Sequence, residues 1–222
     1  AAPWDSVSNE AHWRYRPNKN QPFFAVFNFF PTHESKYQTP EARQRDIPTM
    51  PPYYPQTETT KDVWAQYYRR IEELDKWVKA RLTEVESKQL TEDTIVIFFS
   101  DHGVGLPRAK RWVYNSGIRV PFIVKIPEKF RVDSQGTPGT ASDELISMVD
   151  LAPTILNLAG VAAPDYMQGR AFLGTDLTAP REYLFAARDR IDERYDIVRA
   201  IRNKRYIYIR NYEHWKPYSH YI

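Results

Sequence analysis

Residues 94–127 read TIVIFFSDHGVGLPRAKRWVYNSGIRVPFIVKIP, and the fold turns on them. TIVIFFSD (94–101), a near-continuous apolar run rich in β-branched and aromatic residues, is the best strand candidate in the sequence. A Gly- and Pro-bearing loop, DHGVGLPRAK, follows it, and GIRVP leads into a second strand at 120–126. Upstream, Val63, Trp64, Tyr67, Ile71, Leu74, Trp77, Val78 and Leu82 recur at three and four, predicting an amphipathic helix over 61–87 capped by Thr59 or Thr60. Further back, FFAVFNFF (23–30) reads as a strand buried on both faces, and residues 35–59 as a long Pro- and Tyr-rich loop of the kind that covers or builds a site. Downstream, SDELISMVDLAPTILNLAG (142–160) has a Ser N-cap, helical apolar spacing and a closing Gly, with Pro153 expected to kink or split it. Strands separated by helices predict an α/β sheet with right-handed crossovers.

After about residue 175 the texture changes. EYLFAAR, IVRAIRN and RYIYIR are short strand candidates, with Asn203-Lys204 as a tight turn, and together they predict a small antiparallel subdomain. The expected organisation is therefore a main α/β domain at 1–175 and a β subdomain at 176–222. The opening segment to Gln21 has no period and reads like the tail of an element that begins elsewhere.

Composition narrows the function classes. In 222 residues, 42% hydrophobic and 27% charged, one sizeable core with a small appendage is possible. No apolar run approaches the ~18 residues of a membrane-spanning helix, and the first residues lack the apolar region of a signal peptide. A net charge of +3 is too balanced for wrapping nucleic acid by charge, so no nucleic-acid partner is expected. The absence of cysteine excludes a disulfide framework, thiolate metal sites and a cysteine nucleophile within these residues.

In an open α/β sheet, ligands gather beyond the carboxyl ends of the strands. That rule picks out His33, just after FFAVFNFF, and Asp101 with His102, just after TIVIFFSD, with Lys110 and Arg111 close behind. Asp-His at a strand end can ligate a cation where the following Gly103 lets both side chains swing to one side. Spacing alone leaves open a blander alternative, in which Asp101 caps the loop, His102 and His33 satisfy loop hydrogen bonds, and Arg108, Lys110 and Arg111 form a solvated face.

The Asp101-His102-Gly103 step, Lys110 four residues before Tyr114, and Gly117-Ile118-Arg119-Val120-Pro121-Phe122 together resemble the sulfatase pattern. PFFAVFNFFPTHE is similar to that family's strand leading to its active-site histidine, and SMVDLAPTILNLAGV with QGR to its later helix and turn. Residues 186–212 resemble the small C-terminal subdomain of bacterial members near the heparan-N-sulfatase branch. The resemblance implies part of an alkaline-phosphatase-like sheet covered by helices. It makes Asp101 and His102 ligands of a divalent cation, normally calcium, with another metal open because calcium prefers oxygen donors. It also makes Lys110 and His33 contacts to the sulfate and leaving-group oxygens, which suits a reaction whose developing negative charge must be neutralised. A sulfated small molecule or glycan is the implied substrate, with Arg111, Arg188 and Arg190 as candidate contacts beside Tyr53 and Tyr54. For Arg188, Asp189 and Arg190 the alternative is ion pairs that tie the subdomain down. Asp150 is expected to be structural, and a periplasmic or secreted location is implied.

The departure from the pattern is the nucleophile. Sulfatases oxidise the Cys or Ser of a Cys/Ser-x-Pro-x-Arg motif to formylglycine, and no such motif occurs here. Thr39-Pro40-Glu41-Ala42-Arg43 is superficially similar, yet Gln38 stands two residues before Pro40 and is no nucleophile. The expectation is that the chain is the C-terminal part of a sulfatase, inactive alone, whose partner is a missing N-terminal half bearing the formylglycine. A phosphodiesterase or phosphonate hydrolase of the same superfamily and a noncatalytic anion- or glycan-binding fragment are the competing readings.

Overall fold

The computed structural model describes residues 4–37, 49–132, 136–191 and 194–217, with 191 and 194 described by backbone alone. The Thr39 to Arg43 stretch lies outside them. The chain divides into two compact units, Ala1–Trp77 and Val78–Ile222.

In the first unit, residues 23–30 are not the strand expected. Their burial alternates, with Phe23, Ala25, Phe27 and Phe29 half-buried and Phe24, Val26 and Phe30 exposed, as a strand's would. No second strand occurs among this unit's described residues, so a ladder has no partner and aromatic contacts hold the segment instead. Phe23 stacks on Trp13 at 5.1 Å, and Phe27 and Phe29 lie 6.5 and 5.4 Å from Trp77 of helix α1 (Glu58–Ser87). That helix begins earlier than expected because Thr57 is its cap. The Thr57 hydroxyl accepts from the Thr60 N–H at 3.3 Å, and Thr59 and Thr60 fall inside the first turn. Only part of the expected stripe is covered: Trp64 is buried against Tyr54 at 5.3 Å, whereas Ile71 and Leu82 are exposed. Tyr37, fully buried, meets Tyr67 edge-on at 5.5 Å.

In the second unit the two decisive strands form, β1 at Val96–Phe99 and β2 at Phe122–Lys125, but they pair antiparallel, Val96 opposite Lys125 and Phe99 opposite Phe122. The reason lies in their connection. A parallel pair needs a crossover, and residues 100–121 hold only a four-residue turn of helix, α2 (Asn115–Ile118), and fold back on themselves. The predicted helix at 142–160 is shorter than its pattern. Ser147 and Asp150 form a capping box over a 3-10 turn, Met148–Asp150, and α3 runs Leu151–Leu158. Pro153 lies in the first turn, where its missing N–H costs nothing, so it neither kinks nor splits the helix. Gly160, at φ +69°, closes α3: its N–H reaches Asn157 O and that of Val161 reaches Leu156 O.

Strands β3 (Leu184–Ile191), β4 (Arg194–Arg202) and β5 (Ile207–Asn211) form an antiparallel sheet in chain order. Asn203 closes the β4–β5 connection, its side chain accepting from the N–H groups of Arg205 and Tyr206. One face of this sheet is core: Val198 and Ala200 on β4, with Ala186, Ile207 and Ile209, pack on Val113 from the loop after β1. Burying valines of this kind contributes about 1.5 kcal/mol each. No helix among the described residues is long and apolar enough to cross a membrane.

Candidate active site

The site grows from the carboxyl end of β1. Past Phe99 the chain leaves the ladder, and Ser100 stays tied to β2 through its N–H on the Pro121 carbonyl and to the turn through its hydroxyl on the His102 carbonyl. Asp101 and His102 therefore leave the strand at a fixed place, their side chains turned toward each other. His102 Nε2 lies 3.5 Å from Asp101 Oδ2. On the other side of the ring, His102 Nδ1 lies 2.8 Å from the Gly103 carbonyl oxygen. A carbonyl only accepts, so Nδ1 carries a proton and Nε2 is the ring atom that faces the carboxylate. A hydrogen bond from one ring nitrogen to a carbonyl is how proteins orient the other nitrogen toward a metal, and two donors on one divalent cation sit about 3 Å apart. The carboxylate and imidazole fit two positions on such a cation. No group of three or more potential metal-binding side chains occurs among the described residues.

Gly103 earns its place by close approach rather than by a left-handed backbone. A Cβ there would meet the Ser116 carbonyl oxygen at 1.8 Å, and one on Gly117 would lie 2.2 Å from the carbonyl oxygens of Ala109 and Trp112. The Gly103 N–H donates to the Gly117 carbonyl at 3.0 Å, joining the two limbs of the loop. Between them Lys110 is rooted by its N–H on the Val104 carbonyl at 2.9 Å, and Leu106, Ala109, Trp112 and Val113 are buried. Arg108 and Arg111, on either side of Lys110, have φ of 68° and 75°, conformations that are unfavourable for residues with a Cβ. Arg108 lies over the Tyr114 ring at 4.6 Å, and Arg111 is half-buried.

The other candidates fall in different surroundings. His33, in the first unit, caps a 3-10 turn (Glu34–Lys36): its Nδ1 accepts from the Ser35 N–H, and its ring stacks on Phe30 at 5.0 Å. An accepting Nδ1 leaves the ring proton on Nε2, and the Ser35 hydroxyl lies 3.0 Å from the same Nδ1. Arg190 is exposed on β3. Arg188 is buried, its guanidinium 3.7 Å from the centroid of the Trp112 ring and 3.7 Å from Asp196. A desolvated cation–π contact of this kind is worth about 2 kcal/mol. Tyr54 is buried in the aromatic cluster and Tyr53 exposed beside it at 4.9 Å. Asp150 is buried at the head of α3, bound by Arg181 Nε and Nη2 at 3.0 and 2.5 Å and by the N–H groups of Arg170 and Ser147. Trp112 and Asp196 were not singled out by sequence reasoning; a tryptophan inside an otherwise polar, basic loop was the available signal.

The sulfatase family model matches residues 9–161, and a model described as N-sulphoglucosamine sulphohydrolase, C-terminal, matches residues 106–221. The chain belongs to the sulfatase family. An ulvan-active sulfatase of Formosa agariphila is 39% identical over 94% of this chain and 40% of its own length. The human N-sulphoglucosamine sulphohydrolase is 30% identical over 58% of this chain and 24% of its own. The chain thus spans well under half the length of these relatives. A solved structure, that of BT4656 in complex with its substrate D-glucosamine-2-N,6-O-disulfate, shares the fold with a TM-score of 0.55 at 20% identity, over 70% of this chain and 33% of that one. The architecture is accordingly a portion of the sulfatase α/β fold with a small antiparallel sheet at its C-terminal end.

Proposed function

We propose that this chain supplies the cation-holding and anion-binding residues of a sulfatase that hydrolyses sulfate esters or sulfamates of sugars. The observation that carries the reading is the arrangement at the end of β1, where Asp101 Oδ2 and His102 Nε2 face one another at 3.5 Å with the ring fixed from behind by the Gly103 carbonyl. Asp101 and His102 would hold a divalent cation, calcium or a metal better suited to imidazole, which when bound neutralises charge on the nonbridging sulfate oxygens. Lys110, rooted in the same loop, pairs with the sulfate oxygens. His33 presents Nε2–H as a donor, the form suited to a departing oxygen.

The nucleophile is proposed to be a formylglycine from a Cys/Ser-x-Pro-x-Arg motif outside these 222 residues, since none occurs within them. Relatives that are an ulvan-active sulfatase and an N-sulphoglucosamine sulphohydrolase support the substrate class. Arg111, Arg190 and Tyr53 are the candidate sugar contacts that solvent reaches, and a periplasmic or secreted location belongs to the same reading. Replacing Asp101 with Ala removes one ligand and its charge, so bound divalent metal should fall to background when wild type and variant are compared by plasma mass spectrometry. Equal metal in the two would remove the assignment.

A further inference from the structure

We propose that Arg188 is a positioning residue for Lys110 and acts through Trp112; the inference rests on the reading of Lys110 as the anion-binding cation. Arg188 projects from the inner face of β3, opposite Val198, and is only 7% exposed, so it is not placed to touch a substrate. Its guanidinium instead lies 3.7 Å from the Trp112 centroid. A bulge fixes it from the far side. The β3–β4 register passes from Arg188↔Val198 to Arg190↔Tyr195, so β4 has one extra residue between these pairs, and Asp196 in that bulge lies 3.7 Å from Arg188 Nη1.

What this arrangement holds is the root of Lys110. Trp112 is two residues further along a loop whose backbone is left-handed at Arg108 and Arg111, a conformation that persists only where surrounding contacts impose it. The Lys110 N–H on Val104 anchors one side of that root, and Trp112, seated on Arg188 beside Val113 in the sheet's core, anchors the other. A long flexible side chain can meet a sulfate at a defined place only if its backbone is fixed. The planar guanidinium covers an indole face in a way an ammonium does not, so Arg188 and lysine are not equivalent here.

Amide hydrogen exchange of the protein that carries this chain tests this without any turnover, so a Lys110 with no part in catalysis would leave the result unchanged and would be exposed separately by an active Lys110→Ala enzyme. Arg188→Lys should speed exchange at the Lys110 and Trp112 amides by at least about tenfold while β4 ladder amides stay within about twofold of wild type. Trp112→Leu should reproduce that pattern, and Trp112→Phe, which keeps a ring for the guanidinium, should restore near wild-type protection. Unchanged protection at Lys110 in Arg188→Lys would overturn the proposal. So would equal loss across loop and ladder, which would make Arg188 a general support of the sheet.

Discussion

His102 and His33 are held at Nδ1 by different partners: the Gly103 carbonyl takes Nδ1–H of His102, whereas Nδ1 of His33 accepts from the Ser35 N–H and lies 3.0 Å from the Ser35 hydroxyl. Residue types and spacing pointed to both histidines, but the proton positions depend on which backbone atom folds against each ring, and that is a tertiary outcome. Arg188 shows the same limit more strongly: beside Arg190 in sequence it reads either as a sugar contact or as one half of an ion pair that ties the subdomain down, and strand alternation turns it inward onto Trp112, 3.7 Å from Asp196. Lys110 and Arg111 are also neighbours with unequal prospects. Lys110→Ala should lower kcat/KM by a factor of order 10² or more, because a cation at developing negative charge in a water-poor site contributes several kcal/mol. Arg111→Ala should have a far smaller effect on kcat/KM, since the reading places Lys110 and not Arg111 at the sulfate oxygens. Steady-state kinetics on the two variants decide, and equal losses would mean that the wrong cation has been assigned.

At the scale of elements, the helices and strands were legible where local chemistry decides them. β1 and β2 lie within the stretches their patterns predict, α1 and the three terminal strands overlap theirs with shifted ends, and Gly160 closes α3 as its position suggested. The errors have one physical source, that local pattern does not report the partner. FFAVFNFF has strand composition without a strand to pair with among the described residues of its unit, and β1 and β2 have the apolar runs of a parallel sheet but are joined by a loop too short in helix to cross over. Gly103 was correctly marked as necessary and for the wrong reason, because close backbone approach leaves no trace in sequence. That approach makes Gly117→Ala severe: a methyl group 2.2 Å from two carbonyl oxygens must push the limbs of the loop apart. The expected outcome is a loss of stability well beyond the ~1 kcal/mol of an average substitution, together with loss of metal, read by thermal melting and metal analysis.

For the whole molecule, the Asp150–Arg181 pair joins the head of α3 to the chain leading into β3, and pH reports on it. Burial pushes the Asp150 carboxyl up, but the Arg181 guanidinium and the N–H groups of Arg170 and Ser147 outweigh that and hold it below its ordinary value of 3.8. A carboxyl depressed in the folded state contributes stability that is complete above about pH 4 and lost as pH falls through the lower folded-state value. Arg181→Ala should therefore cost about 3 kcal/mol near neutrality by leaving a buried carboxylate unpaired, and should flatten the acid limb of the melting-temperature profile. A parallel downward shift with the acid limb intact would assign that limb to other groups. The account's central claim concerns what leaves the substrate. Inorganic sulfate and inorganic phosphate should be measured after incubating the protein that carries this chain with a sulfated monosaccharide and with its phosphate counterpart. The account predicts multiple-turnover sulfate release, abolished in Asp101→Ala and absent from the 222-residue chain alone; preferential phosphate release, or sulfate turnover by the isolated chain, would contradict it.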